Sequence, residues 1–121
     1  MFSVGCGRLF EGTPQQMMDS LEKLKTLPNE TLVYCAHEYT EHNCEFALTI
    51  DPENSDLKNL YVHVKELRAK NQSTIPSTIG LECKTNPFLR PNHSNIRDHL
   101  DMENNPVIDV FTEIRRRKDN F

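Results

Sequence analysis

The sequence predicts an α+β fold in which one or two short strands, both in the first third, precede a run of helices. Three patterns carry this reading. Apolar residues recur at helical spacing in Met17, Met18, Leu21 and Leu24, and again in Leu57, Leu60, Tyr61, Val64 and Leu67. A β-branched run, Thr31-Leu32-Val33, leads into Tyr34-Cys35 as one short strand. Helix-start signals stand at Thr13-Pro14 and Asn105-Pro106, and Leu27-Pro28-Asn29-Glu30 and Asp51-Pro52-Glu53-Asn54 separate the elements between them.

Composition bounds the answer further. At 121 residues the chain is one domain or part of one. Apolar residues make up 36% and charged residues 26%, a lean globular balance. A net charge of −4 argues against nucleic-acid binding, which needs a basic face. No apolar run approaches the roughly 20 residues of a membrane span, and Met1-Phe2-Ser3-Val4 is too short for a signal-peptide core. Cys6, Cys35, Cys44 and Cys83 show no C-x-x-C spacing. They read as small packed thiols, and the expected location is the cytoplasm.

Taken in order, Phe2 to Gly7 reads as the tail of a strand closing on a glycine turn. Thr13, Pro14 and Gln16 read as N-cap, first-position proline and capping-box partner of a helix from Pro14 to Lys25. Thr31 to Cys35 is the strand. Thr40 is expected to cap a helix through Ile50, and Asp51-Pro52-Glu53-Asn54 to break it. A third helix is expected over Ser55 to Lys70. Asn71 to Gly80 reads as extended, Glu82 to Asn86 as a turn or short helix, and Asn86 to Pro91 as extended again. A short helix over Asn92 to Met102 precedes a last one after Asn105-Pro106, read as cap and first-turn proline. That helix ends in Arg115-Arg116-Arg117-Lys118, where cations suit its C-terminus. Two strands make no stable sheet. Either their partners lie outside these residues or the strand reading fails.

The chemistry centres on Tyr34-Cys35-Ala36-His37-Glu38-Tyr39-Thr40. A histidine just after a strand stands where open α/β layers place their sites. Cys35-x-His37 and His42-x-Cys44 suggest a mononuclear metal array. His42 and Cys44, two apart on a helix, face about 200° apart, which argues against it.

Five segments in order carry a family resemblance: Gly5-Cys6-Gly7-Arg8-Leu9-Phe10-Glu11-Gly12-Thr13, Val33 to Thr40, Ile75-Pro76-Ser77-Thr78-Ile79-Gly80, Asn86-Pro87-Phe88-Leu89-Arg90, and Arg115 to Phe121. Together they resemble glyoxalase II, the hydroxyacylglutathione hydrolases of the metallo-β-lactamase superfamily. The resemblance implies that residues 1–50 are the last strands and helices of a metallo-β-lactamase αββα domain. Residues 51–121 are then a mainly helical substrate-binding domain. It implies hydrolysis of S-(2-hydroxyacyl)glutathione to glutathione and a 2-hydroxy acid such as D-lactate, in methylglyoxal detoxification. It also implies a binuclear metal centre, zinc with iron or manganese as alternatives. The family's His-x-His-x-Asp-His motif does not occur here. Of the family's metal ligands only His37 is matched, so the chain reads as a fragment with an incomplete site.

The same resemblance assigns the substrate contacts. Arg8 matches a cation that meets the glycine carboxylate of glutathione, and a guanidinium fork suits a carboxylate. Tyr39 matches a glutathione-binding tyrosine. Phe10 stands where some members carry a tyrosine, so only packing remains there. Arg115 and Lys118 match a C-terminal arginine and lysine that hold the carboxylate, and three residues apart they share a helix side. Ala36 replaces the family's usual glycine. Besides the hydrolase, two alternatives follow: a non-catalytic glutathione-binding module, or a half that complements a separate N-terminal chain through its strand edge.

Overall fold

The computed structural model describes residues 1–121. Six α-helices and a two-stranded sheet follow in the order α1 (Pro14–Lys25), β1 (Leu32–Val33), α2 (Thr40–Ile50), α3 (Ser55–Ala69), β2 (Ser77–Thr78), α4 (Ile79–Thr85), α5 (Ser94–His99) and α6 (Val107–Asp119). This is the helix-dominated α+β architecture that the sequence predicts. No helix is long and apolar enough to cross a membrane.

The first helix forms as its start signals dictate. Thr13 Oγ1 accepts from the Gln16 N–H at 3.2 Å, and the Gln16 side chain accepts from the Thr13 N–H at 2.9 Å. Gly12 sits at φ 78°, where a Cβ would come within 2.6 Å of the Gln16 side-chain oxygen. A glycine is therefore what lets the capping box close. Met18 and Leu21 bury the inner face.

Several expectations change. Phe2 to Val4 is not strand: Phe2 and Gly5 exchange backbone hydrogen bonds at 2.9 and 3.1 Å around a tight turn. The expected strand from Thr31 to Cys35 shortens to Leu32–Val33, and its partner lies within the chain. Leu32 pairs with Thr78 and Val33 with Ser77, antiparallel. Bonds from Ile79 N–H to Thr31 and from Gly80 N–H to Asn29 prolong the pairing. Thr40 is the first helical residue of α2 rather than its cap, with its hydroxyl on Thr74 Oγ1 at 2.7 Å. Tyr39 takes the cap position with no side-chain bond. Asn86 to Pro91 is not extended. Asn86 Oδ1 accepts from the Phe88 N–H and starts a 3₁₀ turn over Pro87–Leu89. Asn105 makes no cap for α6; Pro106 holds that position. The helix expected from Asn92 contracts to α5, capped by His93.

The main core gathers Met18 and Leu21 of α1, Phe46 and Ile50 of α2, Phe88 and Leu89 of the 3₁₀ turn, and Val110, Phe111 and Ile114 of α6. A second cluster of Val4, Cys44, Ala47, Leu57 and Val64 joins α2 to α3. Both cores draw side chains from each side of residue 50. The residues that close the first core also bring the N-terminal loop, the start of α2 and the end of α6 to one place.

Candidate ligand-binding cleft

That place is a cleft of about 490 Å³ whose lining includes Arg8, Phe10, His37, Tyr39, Arg115 and Lys118. The six residues singled out from sequence thus meet in one cavity. Phe2, Cys6, Gly7, His42, Asn43, Asp119 and Phe121 complete it. A more open hollow of about 570 Å³ lies against the other side of the 34–38 segment, and of these six only His37 reaches it.

The aromatic wall starts at His37. Its ring stacks on Tyr39 with centroids 4.9 Å apart and planes at 18°. Phe2 packs against both, at 6.1 Å from His37 and 5.2 Å from Tyr39. Glu38, between them in sequence, turns away and accepts from the Thr74 N–H at 2.6 Å and from its hydroxyl at 2.7 Å. Burial pushes the Glu38 carboxyl up, but these bonds and the Arg68 charge outweigh it and leave the pKa below the ordinary carboxylate value. Glu38 therefore anchors the loop that presents His37 and Tyr39. Phe10 stands at the rim, 88% exposed.

The cations differ sharply. Arg115 is buried, and its Nη1 donates to the carbonyls of Cys6 at 2.6 Å and Gly7 at 3.0 Å. Its Nε and Nη2 both reach Asp119 Oδ1, at 3.0 and 2.8 Å. The guanidinium lies 5.1 Å over the Phe88 ring. Most of its donors are thus committed inside the chain. Arg8 is solvent-facing, with only a 4.0 Å approach to Asp119. Lys118 is half-buried, with Nζ 5.2 Å from the Phe46 ring centroid and 5.3 Å from that of Phe121. Burial lowers its pKa first, and the charges of Arg115 and Arg8 add to that. Arg116 and Arg117 point outward to Glu113, at 2.8 and 2.7 Å. Their hydrogen bonds hold the Glu113 carboxyl down at about 2.

Sequence reading missed Asp119, Phe2, His42 and Phe121. Asp119 was detectable as the i+4 partner of Arg115. The contacts of the other three arise only on folding: His42 lies 5.0 Å from Phe121 by ring centroids.

The binuclear metal centre that the resemblance implies does not fit these residues. No group of three or more His, Cys, Asp or Glu side chains is arranged so that it could hold a metal ion. His37 has aromatic neighbours, not ligands. Cys44 is sealed in the second core, where burial pushes its thiol up to about 12. The C-x-H-x4-H-x-C array therefore does not assemble either.

Fold and cleft together define a helix-dominated α+β domain with a cationic, aromatic-lined cleft. Residues 38–121 match the family model for the hydroxyacylglutathione hydrolase C-terminus. The chain is 57% identical, over its whole length and 48% of the relative's, to a hydroxyacylglutathione hydrolase of Bartonella tribocorum. It is 54% identical over 47% of one from Maricaulis maris, and 55% identical over 46% of one from Brucella anthropi. The chain belongs to the hydroxyacylglutathione hydrolase family, and it spans about half the length of the curated relatives it matches.

Proposed function

We propose that this chain forms the glutathione-holding side of a thioester hydrolase that converts S-(2-hydroxyacyl)glutathione to glutathione and a 2-hydroxy acid such as D-lactate. The observation that carries the reading is the convergence of Arg8, Arg115 and Lys118 on one aromatic cleft in a chain of net charge −4. The names of the relatives support the substrate class.

In this reading Arg8 and Lys118 hold the ligand's carboxylate, the two cations with donors left to give. Arg115 fixes the loop floor, with its charge answered by Asp119. Tyr39 and Phe10 pack along the peptide part, and holding that part sets where the thioester lies. His37 is one imidazole of a metal site, zinc or alternatively iron or manganese, whose other ligands lie outside these residues. Residues 1–50 are the end of a metallo-β-lactamase domain and residues 51–121 the helical substrate domain. That division is one of lineage, since both cores cross it. A cytoplasmic setting is part of the proposal, and four unpaired thiols support it.

The missing ligand set favours a second statement about these 121 residues by themselves: they bind glutathione and do not hydrolyse its thioesters. Calorimetry with S-methylglutathione, which carries no cleavable thioester, tests the first part. Saturable binding is expected. Lys118→Ala or Arg8→Ala should weaken it about tenfold, the scale of one charge-assisted bond. No saturation at millimolar ligand overturns the reading. For the second part, turnover of S-lactoylglutathione with stoichiometric metal would refute it.

A further inference from the structure

The most deeply buried acid in the chain lies outside the cleft. Glu82 on α4 is 0% exposed. Its Oε1 accepts from the Val4 N–H at 2.8 Å and from Asn86 Nδ2 at 3.0 Å. Its Oε2 accepts from Ser77 Oγ at 2.7 Å and from Ser3 Oγ at 3.2 Å. Four donors, rather than a cation, surround the carboxylate. Two of them belong to one short turn.

That turn is strained. Val4 is β-branched and fully buried, yet it sits at φ 58° in the left-handed region. Such a residue persists there only when its surroundings over-determine it. The surroundings here are specific. Glu82 takes the Val4 N–H. Asn43 Nδ2 donates to the Ser3 carbonyl at 3.0 Å, and Asn86 Nδ2 to the Gly5 carbonyl at 3.1 Å. A Cβ on Gly5 would come within 2.8 Å of Asn43 Nδ2, so any larger residue there would push the Asn43 amide from its place on the Ser3 carbonyl.

The turn's two ends enter the cleft. Phe2, on one side, packs against His37 and Tyr39. Cys6 and Gly7, on the other, offer the carbonyls that receive Arg115, and Arg8 follows directly. We propose that Glu82 is the positioning residue of the cleft: from outside it, its carboxylate holds the Ser3–Gly5 turn that sets Phe2 against His37 and Tyr39 and aims Arg8. The ligand-binding arm of this inference rests on the glutathione reading above.

The chemistry makes one substitution diagnostic. In Glu82→Gln the amide oxygen can still accept from Val4 and Asn86, while the amide NH2 donates to Ser3 and Ser77, whose hydroxyls rotate to accept. Glu82→Leu removes every acceptor. The test uses the full 121-residue chain, labelled with ¹⁵N, and reads amide resonances, thermal midpoint and S-methylglutathione affinity. For Glu82→Leu, the amides of Phe2 to Arg8 and Tyr39 should move while those of α5 stay, and affinity should fall about tenfold. Glu82→Gln should keep wild-type resonances and an affinity within about twofold.

A Glu82→Leu protein that is merely less stable, with those amides and the affinity unchanged, overturns the proposal. So does a Glu82→Gln protein as impaired as Glu82→Leu. Should the leucine variant not fold, Glu82→Asp decides by the same readouts, because its shorter arm cannot reach Val4 and Ser77 together. If wild type fails to bind S-methylglutathione, the glutathione reading falls, and the amide pattern alone still decides the role of Glu82.

Discussion

Arg115, Arg116, Arg117 and Lys118 are four cations in a row on one helix, and their surroundings sort them. Two turn into the cleft and two turn to Glu113. Hydrogen bonds from Arg116, then Arg117, hold the Glu113 carboxyl down at about 2, against about 4.3 for an unperturbed glutamate. A depressed acid contributes stability that is present above its unfolded value and lost as pH falls through its folded value. Wild type should therefore lose thermal stability between pH 5 and pH 2 that Glu113→Gln does not lose. The gap between their melting temperatures narrows across that range. It should be small, and smaller in high salt, because the pairs are exposed. A constant gap would show that the pairs add nothing. That Arg115 and Lys118 share one side of the helix was legible from their spacing, and that this side faces a ligand was legible only from the family resemblance. The commitment of Arg115 was not, because the carbonyls it binds lie 109 and 108 residues away in sequence.

At the scale of elements, helix starts were legible wherever the signal is a local bond. Thr13, Pro14 and Gln16 carry a complete capping box within four residues. Thr13→Ala should cost about 1 kcal/mol, a melting temperature lower by about 3–6 °C by circular dichroism. An unchanged melt would mean that the first turn of α1 is held by packing instead. The sheet was illegible for the opposite reason. Ser77 and Thr78 lie in a stretch that reads as extended, but nothing local in them says that they pair with Leu32 and Val33. The 3₁₀ turn after Asn86 went unread because its proline and aromatic residues look extended until Asn86 folds back on the Phe88 N–H.

At the scale of the molecule, the family resemblance named the residues and the fold supplied their geometry. The family resemblance picked out Arg8, Phe10, His37, Tyr39, Arg115 and Lys118, which belong to three separate stretches of chain. What sequence left unsaid is the buried framework that brings them together: Phe88 between Phe46 and Phe111, and Glu82 under the N-terminal turn. Such contacts have no local signature, because each partner looks like an ordinary residue in its own segment.

Cys44 turns the second core into a clock. Its thiol is fully enclosed, and burial raises it to about 12, so an alkylating reagent finds almost no thiolate until α2 and α3 part. Cys35 and Cys83, only half-buried, serve as internal references. Mass spectrometry of iodoacetamide-treated protein should show Cys44 modified last, at a rate that climbs steeply with urea. The urea dependence then measures how much surface the opening exposes. Modification of Cys44 as fast as Cys35 in native buffer would mean that this half of the molecule opens without waiting for the rest.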